Sequence, residues 1–139
     1  MNAFDVEAAL AGAIAGHAAG ATIHAGAIGG DQAWPRVLVK TAAADLKSEA
    51  PWRGRHSAQV IVQSAFDSDN AALELSAPPS YAAHRTCAAA IWARLEQREV
   101  LTAAMGAGVV DARLEQFRTA VDARQGLFMS ILVVEVETN

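Results

Sequence analysis

Between Ser80 and Glu99 apolar side chains recur three or four positions apart. Tyr81, His84, Ala88, Ile91, Trp92 and Leu95 make one stripe, with Arg85, Arg94, Glu96 and Arg98 mostly off it. This spacing predicts an amphipathic helix that carries Trp92 into the core. A second helical pattern opens the chain: Phe4, Val6, Leu10, Ile14 and His17 recur through an alanine-rich run, with Asn2 available as an N-cap and acidic residues in the first turn. That helix is expected to end near Gly16 to Gly20, and Gly26 to Asp31 reads as a turn.

Elsewhere the pattern is that of strands. Ala21 to Ala25 reads as a short one. Arg36 to Thr41 is an apolar, β-branched run with Pro35 at its start, where a missing ladder donor does least harm. His56 to Ser64 mixes β-branched and polar residues, and the polar stretch Ala42 to Arg55, which holds Pro51 and Gly54, joins the two runs as a long-looped hairpin. Asp67 to Pro79 is a connection. Val100 to Met105 continues or follows the long helix until Gly106 and Gly108 break it. Val109 to Val121 fits either period, with strand favoured. Leu127 to Glu137 is a long final strand, nearly all apolar at first and alternating at its end, whose middle is expected to be covered on both faces. The order predicts an α+β fold, a mostly antiparallel sheet with helices packed on one face, as a single domain over residues 1–139.

Composition narrows the function. The chain is 53% hydrophobic, largely through alanine, which buries little area per residue. Its core therefore rests on few large side chains, and partners become useful. A net charge of −4 opposes sequence-independent nucleic-acid binding. Cys87 is the only cysteine, which excludes an internal disulfide, fits a reducing compartment, and is expected to be packed in the core. Ala8 to Gly30 carries no charged residue, but it contains His17 and His24 and follows Asp5 and Glu7, which argues against a membrane span or a signal peptide. The repeated spacing of Gly12, Gly16 and Gly20 is expected to serve close packing of a helix.

Catalytic and metal motifs are missing: there is no Walker loop, G-x-G-x-x-G, H-E-x-x-H, C-x-x-C or G-x-S-x-G. His17, His24, His56 and His84 lie far apart with no i,i+4 pair, so each is expected at the surface or at its boundary, with His84 half-buried. Asp67 with Asp69, and Glu135 with Glu137, lack a partner acid, base or ligand. The latter pair is expected on the solvated face of the last strand or as a charged guard at a sheet edge. No cofactor and no enzymatic activity are expected. Trp34 and Trp52 sit beside Pro35 and Pro51 in predicted loops, where a large ring is either packed on the chain's own body or anchors an interface.

The order of these features resembles the tail terminator, or tail completion, proteins of long-tailed bacteriophages and prophage-like tails. The features are an N-terminal helix, the strand at Pro35 to Lys40, the loop and return strand of Ala42 to Ser64, the helix of Ser80 to Glu99 and the closing β segment of Gly126 to Val136. The Ala18 to Gly30 stretch and Val109 to Val121 depart from a minimal version of that pattern. The resemblance implies a ring, commonly a hexamer, at the head-proximal end of a tail tube. Such a ring stops tube growth, docks to the head connector or neck, and meets DNA only as passing cargo, in a virion tail assembled in the host cytoplasm. A neck or head-tail adaptor is the nearest alternative, and a small ligand-binding or enzymatic domain using the Gly26 to Trp34 turn and the Trp52 loop is a more distant one. Candidate interface residues are Trp52, Arg53, Arg55, Lys47 and Trp34. The loop is net basic in an acidic chain, and Trp and Arg are enriched in interface hot spots.

Overall fold

The computed structural model describes residues 1–27, 34–46, 54–65, 79–122 and 124–139. Its elements are α1 (Ala3–Ile14), β1 (Ile23–Ala25), β2 (Arg36–Leu46), β3 (Gly54–Ala65), α2 (Pro79–Leu95), α3 (Arg98–Met105), β4 (Val109–Asp122) and β5 (Leu127–Thr138). The described strands form one sheet in the order β1-β2-β3-β5-β4, antiparallel throughout except for β1 beside β2. The expected α+β architecture is present, and Val109 to Val121 resolves as strand.

Alternation decides which face the helices cover. Along β3, His56, Ala58, Val60, Val62 and Ser64 are buried, while Arg55, Ser57, Gln59, Ile61 and Gln63 face the other way and keep more exposure. Leu132, Val134 and Val136 of β5 continue the buried face. Against it pack Val6, Leu10 and Ile14 of α1, Cys87, Ile91 and Leu95 of α2, and Leu101 and Met105 of α3. Among the described residues the helices cover this face alone. The middle of β5 is nonetheless sheltered on its second face, where Val133 is only 9% exposed between Gln59 and Gln116 of the neighbouring strands.

α1 starts where expected. The Asn2 side chain accepts from the Asp5 N–H at 2.9 Å and the Asp5 carboxylate accepts from the Asn2 N–H at 2.9 Å, a reciprocal capping box. The helix stops at Ile14, earlier than the glycines imply. Gly16 and Gly20 lie beyond it at φ of 78° and 87°, a left-handed conformation that suits glycine, and open space surrounds the α-carbon of Gly12. Gly16 and Gly20 therefore serve turns, and Gly12 packs against no neighbour among the described residues. The hairpin also differs from expectation: β2 runs on to Leu46 and β3 begins at Gly54, because after a one-residue slip Ala43 to Leu46 remain paired with Ser57 to Gly54. Glu96 and Gln97 separate α2 from α3.

One joint locks the first layer to the second. The β2–β3 register slips between Thr41 and Ala43, and α1 docks at that irregularity. The Thr41 N–H donates to Oε1 of Glu7 at 2.8 Å, and its hydroxyl donates to the Ala3 carbonyl at 2.9 Å. Glu7 is 7% exposed, so its carboxylate fills a backbone demand that no strand meets. Glu7→Ala should lower unfolding free energy by about 1–3 kcal/mol, the cost of stranding a buried donor. Glu7→Gln, which retains a carbonyl acceptor, should lose less. Urea unfolding of both variants checks this, and an unchanged midpoint in Glu7→Ala would remove the joint from the account of stability.

Candidate functional site

α2 does not reach the last strand of the sheet, and this shortfall leaves a groove. Arg85, Ala89, Trp92 and Glu96 recur at i, i+4, i+7 and i+11, so they form a second row on α2 beside the buried stripe of His84, Ala88, Ile91 and Leu95. Together with Tyr81 and Ala93 this row walls a groove of about 410 Å³ whose floor is Phe117, Thr119 and Ser130. Trp92 and Phe117 meet edge to face across it, with ring centroids 4.7 Å apart. The indole N–H of Trp92 donates to the Glu96 carboxylate. Arg85 has no ion-pair partner among the described residues. The lining is mainly apolar.

The groove opens onto the edge of the sheet, and the two halves of β4 are treated differently there. The first half is guarded. The Ala112 N–H donates to the Thr102 hydroxyl of α3 at 3.0 Å, and Thr102 in turn donates to the Arg98 carbonyl at 2.7 Å. Arg98 grips Asp111 through two bonds of 2.6 and 2.8 Å, and Arg113 adds a third at 2.7 Å while also pairing with Glu115. Hydrogen bonding from Arg98 holds the Asp111 carboxyl below its usual range. Beyond Glu115 the guard ends. Residues 115 to 121 are all exposed, and Phe117, Thr119 and Val121 occupy the helix-side face opposite Leu132, Ser130 and Phe128. Among the described residues nothing pairs with the outer edge of this half, the usual template for adding another chain.

Behind the groove lies a buried polar bridge. His84 is 3% exposed, with Nδ1 2.9 Å from the Ser64 hydroxyl and Nε2 2.7 Å from that of Ser130. Whichever nitrogen carries the proton, the other can accept from a serine. Burial pushes the His84 pKa down. His56 is fully buried at the other end of β3, its Nε2 3.4 Å from the Thr138 hydroxyl and its Nδ1 without a partner among the described residues, and burial followed by the positive amino terminus lowers its pKa as well. The expected surface or boundary placement fails for both, because each falls on the inward phase of its element. Cys87 is buried as expected, its thiol pushed up to about 11 by desolvation. Among the described residues no three His, Cys, Asp or Glu side chains are grouped to hold a metal ion, and no helix is long and apolar enough to cross a membrane.

Of the residues singled out from sequence, Trp34 and Arg55 lie away from this groove. Lys47, Trp52 and Arg53, like Asp67 and Asp69, lie outside the described residues. Trp34, 44% exposed, sits before β2 with the Arg36 guanidinium 4.2 Å over its ring. Arg55 lies at the far end of the same hairpin, paired with Glu137 at 3.1 Å on the face away from the helices. Glu135 and Glu137 share that face, but β5 is an interior strand, so they guard no edge. Trp92 is half-buried between core and groove. The sequence reading missed the groove because its floor comes from Phe117 and Thr119, 21 to 38 positions beyond its wall.

No family model and no curated protein matches this chain in sequence. Among solved structures it is similar to a chain of the virion of the native gene transfer agent particle, at 15% identity and a TM-score of 0.49, over 93% of this chain and 83% of that one.

Two outcomes follow from the site. Leu95→Ala should cost about 2–5 kcal/mol as a buried truncation, whereas Trp92→Ala, with one face already open, should cost clearly less than the roughly 3–5 kcal/mol of a fully buried aromatic. Thermal melts of the two variants check the ranking. The histidines set a pH dependence. Both folded pKa values lie below the ordinary 6.5, so the unfolded chain binds protons first, and stability present above about pH 6.5 is lost as pH falls toward the folded values. A melting temperature that stayed level from pH 7 to 5 would contradict the buried placement.

Proposed function

We propose that the chain is a structural subunit of a phage-like tail. Copies of it close into a ring at the head-proximal end of the tail tube, end tube polymerisation and present a surface to the head connector. The observation that carries this reading is the unguarded half of β4 beside an apolar groove. A free sheet edge with exposed Phe117 and Val121 favours a protein partner over solvent. The element order supports it too, since α1, the β2–β3 hairpin, α2 and the closing β5 fall where the terminator resemblance requires them. Such a subunit needs no catalytic group. Ring closure uses two different patches per copy and limits growth by symmetry. DNA passes through as cargo, and the working location is the virion tail after assembly in the host cytoplasm.

In this proposal the loop from Lys47 to Arg55 adds contacts outside its own subunit. Among the described residues the half-exposed Arg55 pairs with Glu137 alone, a pairing worth little in solvent. Purified protein should reach six times the 14.5 kDa chain mass, alone or with tube protein present, and tubes grown with it should be uniform in length by electron microscopy. Replacing Trp52, Arg53 and Arg55 together by alanine should leave the monomer folded and weaken ring formation or capping. A wild-type chain that stays monomeric with tube protein present overturns the reading, and binding to a head connector without any binding to tube would favour the neck adaptor instead.

A further inference from the structure

The most exposed large apolar side chain in the described protein is Phe4, at 77%. A phenylalanine on a loose terminus would be unremarkable, but this one is held in place. It stands in the first turn of α1 between the residues of the capping box, and Ala3 and Glu7 on either side of it are bonded to Thr41. On the helix it lies about 160° around from Val6, so no rotation of α1 that keeps Val6, Leu10 and Ile14 in the core can bury it. Phe4 is thus a fixed apolar knob.

The α2–β4 groove is the matching socket. Its volume of about 410 Å³ is well above the roughly 150 Å³ at which an apolar cavity accepts a benzene ring. Trp92 and Phe117 offer the edges and faces that a third aromatic ring packs against. Charge matches as well. Asp5 follows Phe4 directly, and Arg85, without an ion-pair partner among the described residues, lies in the groove wall. Knob and socket cannot meet within one chain: α1 lies on the opposite side of α2 from the groove, with the Arg94 Nε of α2 donating to the Ala13 carbonyl of α1 at 3.0 Å.

We infer that the first turn of α1 in one copy seats Phe4 in the α2–β4 groove of the next, with Asp5 facing Arg85. This rests on the ring reading above and gives it a specific contact. The two surfaces differ, so the contact is head to tail and repeats from copy to copy until the ring closes.

The test uses full-length chains and the mass of assemblies by sedimentation or mass photometry. Phe4→Ser removes the knob and, because Phe4 is exposed, should leave the melting temperature unchanged. Ala89→Arg blocks the socket from an exposed helical position where arginine is well tolerated. Each variant alone should lose self-association by at least tenfold. Mixed in equal amounts they should form a dimer that does not grow, since the intact knob of one fits the intact socket of the other. Wild-type assembly by Phe4→Ser would overturn this contact while leaving the ring standing. Loss of assembly in Ala89→Arg alone would mean that another segment fills the groove, and failure of the mixture to give dimers would equally overturn the pairing. A wild-type chain that is monomeric under every condition sinks the ring and the contact together.

Discussion

Everything in this structure is hung on the antiparallel pairing of β3 with β5, which runs in unbroken register from Gly54 opposite Thr138 to Ala65 opposite Leu127. The two strands come from distant parts of the chain, so their pairing closes the long intervening loop and commits α2, α3 and β4 to one side. Their inward residues, among them Val60, Val62, Leu132 and Val134, make the floor on which α1 and α2 rest. β2 and β4 then extend the sheet in opposite directions. The helix layer, short of large side chains in an alanine-rich protein, is too narrow to follow both.

That mismatch in width explains the site. α1 and α2 cover the sheet from β2 to β5, and α3 reaches only the start of β4. Where α3 is present, a hydroxyl and an ion network occupy the edge. Where it is absent, Phe117 and Val121 are left open. The face of the sheet turned away from the helices solves its exposure differently, by mixing Gln59, Gln63, Arg36 and Glu135 among Ile61 and Ile131, with the Arg36 Nε donating to Gln63 at 3.1 Å.

Sequence periodicity revealed the elements because it reports a property of neighbouring residues. The capping box of α1, the alternation of β3 and the stripe of α2 are all local. It failed where a side chain's fate depends on a remote element. Trp92 sits at the margin of its stripe, and only the reach of β4 determines that it borders a groove. Phe4 was grouped with Val6, Leu10 and Ile14 by interval, although its angle around the helix sets it apart from them. His56 and His84 were expected at the surface or its boundary for want of a paired histidine, whereas strand phase for His56 and the hydroxyls of Ser64 and Ser130 for His84 put them inside. Glu135 and Glu137 were legible as alternating but not as interior, since strand order in a sheet is invisible along the chain.

The buried thiol of Cys87 has a practical consequence. Only the thiolate reacts with alkylating or disulfide reagents, and in the closed protein this group is both covered by α2 and held protonated by its surroundings. Modification must therefore wait for α2 to lift from β3 and β5. With no other sulfhydryl in the chain, the rate of labelling reports on that opening alone, and equals its rate when the reagent reacts faster than the helix recloses. The molecule carries its own clock for the breathing of its helix layer.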